Sequence, residues 1–522
     1  MKRKLFCSAL TIFIMLSLFA QPRTAGERIT ATNARVPMIK GSSLNQLIKL
    51  SVYIPAGKTI TYKNFRLQLD ASAVKALDKI EVLVRDEKQR SFLANAKKYA
   101  TIHSLASNTD IPVDLPLQQG WNTIWFGATV KDDADSDKKI NVTLKSITTS
   151  DNFIQTNIKQ TNSTQRRVGI AVRRAWDDSV HTYRIPGIIT TDKGTLIAVY
   201  DIRYRHSGDL PANIDVGMSR STDGGKTWEP MKVIMDMGAP HENNGIGDPA
   251  VLFDPKTKKI WVAALWSKGN RSIAGSKPGL SPDTTGQFVL VSSNDDGLTW
   301  SEPHSITPQV KNPAWHLYFN GPGNGIVMQN GTLVFASQYW DETTEPASVG
   351  IPHSSIIYSE DGGATWKSGT GAKSNTTEAQ VVETKPGTLM LNMRDNRGQY
   401  RSVATTTDMG KTWTEHITSR SALEEPVCMA SFIRAKVRVK GQLKNVLFFS
   451  NPASQTRRDH MTIKASTDLG ETWPKDYHLL IDERNGFGYS AMTRIDENTI
   501  GILYEGERDL YFLRVPVSDI IK

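Results

Sequence analysis

Residues 359–366 read SEDGGATW, and four more octets repeat the pattern: STDGGKTW from Ser221, SNDDGLTW from Ser293, TTDMGKTW from Thr406 and STDLGETW from Ser466. The shared form is Ser/Thr-x-Asp-x-Gly-x-Thr-Trp. Asp followed two residues later by Gly is turn chemistry. The carboxylate accepts backbone N–H groups just ahead of it, and Gly supplies positive φ. The Thr-Trp pair favours a strand and brings a large apolar surface to bury. Each octet therefore reads as a hairpin turn with a packed Trp on the outgoing strand.

The octet aspartates, Asp223, Asp295, Asp361, Asp408 and Asp468, lie 72, 66, 47 and 60 positions apart. A loose repeat of this length, one four-stranded unit each, is a propeller signature stretched by insertions. Five carboxylates each engaged in their own turn do not make one catalytic centre. The octets are scaffold, and the chemistry belongs elsewhere.

All five octets follow residue 220. Residues 28–150 have none and instead alternate apolar and polar residues in short runs such as LIKLSVYI, FRLQLDA, IEVLVRD, WNTIWFGATV and KINVTLKSI. This predicts an amino-terminal β-sandwich, with SAVKALDKI opening as a possible helical turn. Residues 151–167 are polar and predict a linker. Residues 168–522 carry strands such as GTLIAVYD, KIWVAALWS and GTLVFASQYW, and no amphipathic helix of three turns. The fold class expected is all-β: a six-bladed β-propeller of about 355 residues behind the sandwich. Trp121 and Trp125 alternate onto one strand face, where they either stack on sugars or enter the core.

The chain begins MKRK and continues with the apolar run LFCSALTIFIMLSLFA. This predicts a signal peptide over residues 1–25 and export to the periplasm, cell surface or medium. The run is short for a membrane anchor, and no other segment is apolar enough to span a bilayer. Removing residues 1–25 takes four cations and no acids, so the net charge falls from +10 to +6. That excess suits an anionic substrate without requiring one. No run of five basic residues occurs, and no basic stripe is interleaved with aromatics, so nucleic acid is not an expected partner. Of the two cysteines, Cys7 leaves with the signal and Cys428 sits in the apolar EEPVCMASFIRA, as a buried structural thiol rather than a nucleophile. His206, His241 and His316 share no ligand spacing, and no metal is expected.

The remaining polar residues of interest lie outside the octets. HTYRIPGII carries Arg184, AVYDIRYRHSGD carries Arg203 and Asp209, and GIGDPAV carries Asp248. NTTEAQVVE carries Glu378, LMLNMRDNRG carries Arg394, and NPASQTRRDHM carries Arg457 and Arg458. NGFGYSAM carries Tyr489 and ILYEGERD carries Glu505. In order and approximate spacing, the Arg-Ile-Pro motif, the octets and these segments resemble the bacterial exo-α-sialidase (neuraminidase) family over about residues 165–522. Tyr183 stands where the family commonly has Phe.

The resemblance implies a six-bladed propeller with the site at its axis, and hydrolysis of terminal sialic acid from glycoproteins, gangliosides and oligosaccharides without a cofactor. It implies that Arg184, Arg394 and Arg458 hold the substrate carboxylate, with Arg457 the alternative for the third. Arg203 and Asp248 lie near the sugar O4. Asp209 is the general acid/base, Tyr489 the nucleophile, Glu378 its base, and Glu505 the carboxylate that fixes the first arginine. The sandwich resembles a carbohydrate-binding domain. Two other functions compete. A binding propeller without turnover needs only the arginines, and a trans-sialidase needs an aromatic acceptor platform such as Trp315 or Trp340.

The residue chemistry agrees with these roles. Arginine pairs with carboxylates in a planar, bidentate way and never loses its charge. A carboxylate nucleophile would meet an anomeric carbon already bearing a carboxylate, whereas a neutral Tyr hydroxyl avoids that repulsion.

Overall fold

The computed structural model describes residues 28–84, 96–341 and 350–522. The signal segment expected over residues 1–25, with Cys7, lies outside them. Among the described residues no helix is long and apolar enough to cross a membrane.

The chain is all-β. After residue 180 it runs through antiparallel sheets one after another. Thr182–Thr190, Leu196–Arg203, Ile214–Ser221 and Lys232–Met235 form the first. Ile246–Asp254, Lys259–Trp266, Gln287–Ser293 and His304–Ser305 form the second, with Gly323–Asn324 added in parallel. Leu317–Asn320, Leu333–Trp340, Pro352–Ser359 and Lys367–Ser368 lead the third. Thr376–Lys385, Thr388–Asp395, Ser402–Thr406 and Thr414–Glu415 make the fourth. Ser431–Val439, Gln442–Pro452, Met461–Ser466 and His478–Asp482 make the fifth. Ser490–Arg494, Thr499–Glu505 and Leu510–Pro516 then make the last, in which Leu510–Pro516 pairs with Gln165–Arg173, the strand that precedes the first sheet in sequence.

Inner strands such as Leu196–Arg203 and Leu333–Trp340 are buried along their whole length, because each sheet packs on both faces. One apolar cluster joins Val199 and Val216 of the first sheet to Val262 and Val289 of the second. Further clusters join second to third, third to fourth, fourth to fifth and fifth to last. A sixth joins Leu503 and Phe512 of the last sheet back to Tyr200 and Ile202 of the first.

The octets do the turn work their composition implies. In SEDGGATW, Ser359 Oγ donates to Asp361 Oδ1 at 2.7 Å and accepts from the Gly363 amide at 2.8 Å. Asp361 then accepts from the Thr365 amide at 2.9 Å and the Thr365 hydroxyl at 2.6 Å. The same four bonds recur at Asp223, Asp295, Asp408 and Asp468. Gly363 has φ +93°, and a Cβ there would lie 2.3 Å from Trp261. The residue before each such glycine is also left-handed, including Met409 and Leu469, whose side chains have no preference for that region.

The first 150 residues supply five strands, Asn45–Ile54 and Gly120–Val130 among them, of a six-stranded sheet whose edge strand is Lys159–Thr161. They also supply Ile60–Leu69, Asn108–Leu117 and Lys139–Thr149 to the sheet that contains Gln165–Arg173. Leu50, Phe126, Phe65 and Ile147 share one core between these sheets. SAVKALDKI divides: Ala71–Ala76 is helical, capped by Asp70 accepting from the Ala73 amide at 2.7 Å, and Leu77–Val84 is strand. Residues 151–167 contain the short strands Ile154–Gln155 and Lys159–Thr161 and the start of Gln165–Arg173. Trp121 is 62% exposed, against a place in the core, and lies 5.4 Å from Tyr53.

Candidate active site

A cavity of about 240 Å³ opens where the same end of several sheets converges. Arg184, Asp209, Asp248, Glu378, Arg394, Arg458 and Tyr489 line it, with Phe319 and Trp340 on its apolar flank. Arg203 and Glu505 support this set from behind through hydrogen bonds.

Strand irregularities aim these side chains. The pairing of Thr182–Thr190 with Leu196–Arg203 shifts register between Arg184 and Gly187. Equivalent shifts fall between Gly247 and Ala250, around Asp248, and between Thr376 and Ala379, around Glu378. Such bulges re-aim side chains beside sites. Ile185 and Asp248 both have φ +57°, a strained value for β-branched Ile185 that neighbouring contacts must hold. One such contact is the Ile185 amide donating to Glu505 Oε1 at 2.9 Å.

Glu505, at the end of Thr499–Glu505 and fully buried as a side chain, also accepts from Arg184 Nε at 3.0 Å and from the Tyr489 amide at 2.8 Å. Arg184 thus has its cation fixed from the side away from the cavity. Its guanidinium lies 4.3 Å from the Phe487 ring centroid. Arg458 donates to the Phe487 carbonyl at 3.0 Å and the Val427 carbonyl at 2.9 Å. Arg457 instead turns outward to Asp459, at 2.6 Å, and is 70% exposed.

Arg394 Nη1 donates to Glu378 Oε2 at 2.6 Å and to the Tyr489 hydroxyl at 3.0 Å. The Tyr489 hydroxyl in turn donates to Glu378 Oε1. Burial, and then the Glu378 charge, push the Tyr489 pKa well above its ordinary value, so the resting phenol is neutral and hydrogen-bonded to a base.

On the opposite wall, Asp209 accepts from Arg203 at 2.7 Å and from Arg184 at 3.3 Å. Partial desolvation by the surrounding protein opposes its charge, but Arg203 and Arg184 outweigh that and hold its carboxyl below the usual range. Asp248 moves the other way. Burial, with Asp201, Glu378 and Asp209 close by, raises its pKa well above normal. Two carboxyls in one cavity are thereby shifted in opposite directions.

The comparisons with known proteins come down on one side. A BNR repeat-like domain family matches residues 185–480. A sialidase of Bacteroides fragilis is 47% identical over 417 residues, 78% of this chain and 76% of that one. The chain belongs to the sialidase family. A sialidase of Micromonospora viridifaciens is 34% identical over 329 residues, covering 62% of this chain and 50% of that protein. The solved structure of a Hadza microbial sialidase superposes with a TM-score of 0.87 at 38% identity, covering 95% of this chain and all of the other.

In this sialidase-family chain, sequence reasoning passes over three members of the site. Asp201 is buried, accepts from Arg203 Nη2 at 2.8 Å and from the Asp248 amide at 2.8 Å, and so ties two cavity-wall segments together. Its only signal is its place two residues before Arg203. Phe487 covers Arg184 and gives its carbonyl to Arg458. Phe319 stacks on Trp340, with ring centroids 5.6 Å apart and planes within 4°. Cys428 is buried behind Tyr489, and burial pushes its thiol up to about 12, which removes it as a nucleophile.

Proposed function

We propose that this chain is an exo-α-sialidase, a glycoside hydrolase that releases terminal sialic acid from glycoproteins, glycolipids and oligosaccharides with retention. The observation that carries the proposal is the Tyr489–Glu378 hydrogen bond set inside a cavity walled by Arg184, Arg394 and Arg458. Three guanidiniums take the substrate carboxylate. The Tyr489 oxygen attacks the anomeric carbon while its proton passes to Glu378. The substrate carboxylate pairs with Arg184 and relieves its hold on Asp209, which takes up a proton from solvent in the bound complex; as the bond to the aglycone breaks, the aglycone oxygen takes that proton. In the second half Asp209 takes a proton from water, which attacks the anomeric carbon, and the departing Tyr489 oxygen recovers its proton from Glu378. A Tyr nucleophile is the known exception that sialidases make among glycosidases. Arg203 and Asp248 lie toward the sugar hydroxyls.

The six shared cores, the last closing on the first, support a six-bladed β-propeller over residues 168–522 with the cavity at its axis. The two-sheet core of residues 28–150 supports a β-sandwich, and exposed Trp121 beside Tyr53 supports a face that touches glycans. Trp340 is 4% exposed and stacked on Phe319, and Trp315 lies flat on Tyr339 at 3.9 Å. Neither stands free as the acceptor platform a trans-sialidase needs. The complete acid, base and nucleophile set disfavours a binding protein without turnover. The basic, then apolar, start of the sequence supports export.

The test is hydrolysis of a fluorogenic sialoside against an asialo control, followed by trapping with a 3-fluorinated sialosyl fluoride. Tyr489→Phe keeps the ring and its packing, and turnover is expected to fall on the order of 10³-fold or more. The trapped label maps to Tyr489. A label elsewhere, or wild-type turnover in Tyr489→Phe, overturns the assignment.

A further inference from the structure

The loop 482–488 connects the fifth sheet to Tyr489 and touches both ends of the carboxylate-binding wall. The Gly486 amide donates to the Arg458 carbonyl at 3.0 Å. The Phe487 carbonyl accepts from Arg458 Nη1, and the Phe487 ring covers Arg184. The loop is also tied to the neighbouring strands, where Arg484 Nε donates to Asp482 Oδ1 at 3.0 Å and the Tyr504 hydroxyl donates to Asp482 Oδ2 at 2.9 Å, and its outer side is anchored by a residue from the far end of the sequence. The Arg35 amide donates to Glu483 Oε1 at 2.9 Å, Arg35 Nε donates to Glu483 Oε2 at 2.8 Å, and the Glu483 amide donates back to the Arg35 carbonyl at 3.1 Å. Arg35 Nη2 also lies 3.5 Å from His460 Nε2, two residues beyond Arg458.

Arg35 is itself firmly seated. Ala34 and Val36 on either side of it are buried, and Ile39 lies in the same apolar cluster as Phe448 and Met492 of the fifth and last sheets. A lone half-exposed ion pair contributes little. Three bonds between two residues, two of them through backbone, are a geometric clamp.

We propose that Arg35 is a positioning residue for the sialidase reaction: the amino-terminal module clamps Glu483 and thereby sets the loop that orients Arg458 and Arg184 for the substrate carboxylate. The proposal rests on the sialidase function above. Tyr489 is held separately, by Glu505 through its amide and by Glu378 through its hydroxyl. Releasing the clamp should therefore disturb substrate binding more than turnover. A purely structural contact would lower thermal stability without separating KM from kcat.

The experiment uses the full chain with Arg35→Ala, Glu483→Ala, the double variant and Arg35→Lys. Each is assayed well below its Tm on a fluorogenic sialoside and by hydrogen exchange of the 484–489 peptide. In Arg35→Ala, exchange should speed up and KM should rise about three- to tenfold, the worth of roughly one net hydrogen bond, with kcat nearly unchanged. Arg35→Lys should recover part of the loss, and the double variant should be no worse than Glu483→Ala alone, which already loses both bonds to the carboxylate. Unchanged exchange, or additive effects in the double variant, overturns the proposal. If Arg35→Ala does not fold, Glu483→Gln is read by the same two measurements. A wild-type protein inactive on sialosides would sink the sialidase function, while the exchange result would still decide whether the clamp exists.

Discussion

Replacing Glu505 by Gln changes one oxygen to an amide nitrogen and removes one charge, and the consequences follow from three donors. Oε1 accepts from Arg184 Nε and the Ile185 amide, and Oε2 accepts from the Tyr489 amide. A glutamine keeps the first two bonds only by placing its oxygen at the Oε1 position, which sets its NH₂ against the Tyr489 N–H. The flipped amide loses two bonds instead of one, so the first orientation prevails. One buried N–H without an acceptor costs about 1–3 kcal/mol. Arg184, itself buried, also loses its closest carboxylate, and removing one partner of a buried pair costs about 3–5 kcal/mol. Asp209, at 3.3 Å, retains part of the compensation, so a net loss of roughly 3–6 kcal/mol is expected. At about 2.1 cal/mol/K per residue, a cooperative unit of roughly 500 residues loses roughly 1 °C of Tm per kcal/mol. Calorimetry should therefore show a fall of about 3–6 °C. KM should rise at least tenfold with the loss of one oriented, charge-assisted contact. A Glu505→Gln variant that melts within 1 °C of the parent, roughly the limit set by 1 kcal/mol, and keeps its KM would refute the role of Glu505 in holding Arg184.

The Asp361 carboxylate, held down to about 2 by the Thr365 hydroxyl and amide, contributes stability above its unfolded value of about 3.9 that is lost as pH falls toward 2. Asp361→Asn should thus melt below the parent at pH 7, with the gap closing in acid and activity per folded molecule nearly normal; loss of turnover without loss of Tm would return the octets to the chemistry. Substrate carboxylate paired with Arg184 relieves the depression of Asp209, so the alkaline limb of kcat should lie at higher pH than that of kcat/KM. Asp209→Ala should slow alkyl sialosides far more than activated phenyl ones, and equal slowing would remove Asp209 as the acid. Deleting residues 28–150 strips Ile39 from its cluster and breaks the Asp137–Arg514 and Lys139–Asp519 pairs. The truncated chain should aggregate, and recovery of a monodisperse, active protein would show that the two regions are independent.

The all-β class and the turn role of the octets were legible because Asp, Gly and Trp at fixed offsets declare their geometry locally. Asn108–Leu117 was harder. Pro112 and Pro116 argue against a central strand, and the structure accommodates them at a sheet edge, where only Ile60–Leu69 pairs with it. Trp121 was ambiguous because period two fixes which residues share a face, not which face is covered. The cavity residues were legible from their family pattern and order. Asp201 and Phe487 were not, since each acts on an arginine from another part of the chain. Arg35 is the extreme case: it meets Glu483 across 448 positions, and nothing in the segment around it announces a distant partner.

The arrangement also explains why the site tolerates so many cations. Arg184, Arg203, Arg394 and Arg458 stand close together, and carboxylates on their inner sides offset the repulsion. Glu505 serves Arg184, Asp201 serves Arg203 and Glu378 serves Arg394. Burial raises Asp201 even beside Arg203, and raises Asp248 as well, with Asp201 among its like-charged neighbours. Yet another carboxylate at the reacting centre would either stay protonated or weaken the wall's attraction for an anionic substrate. A neutral phenol avoids both outcomes. It attacks as an anion only when Glu378 takes its proton, and Arg394, bonded to both groups, steadies the negative charge whichever of them carries it.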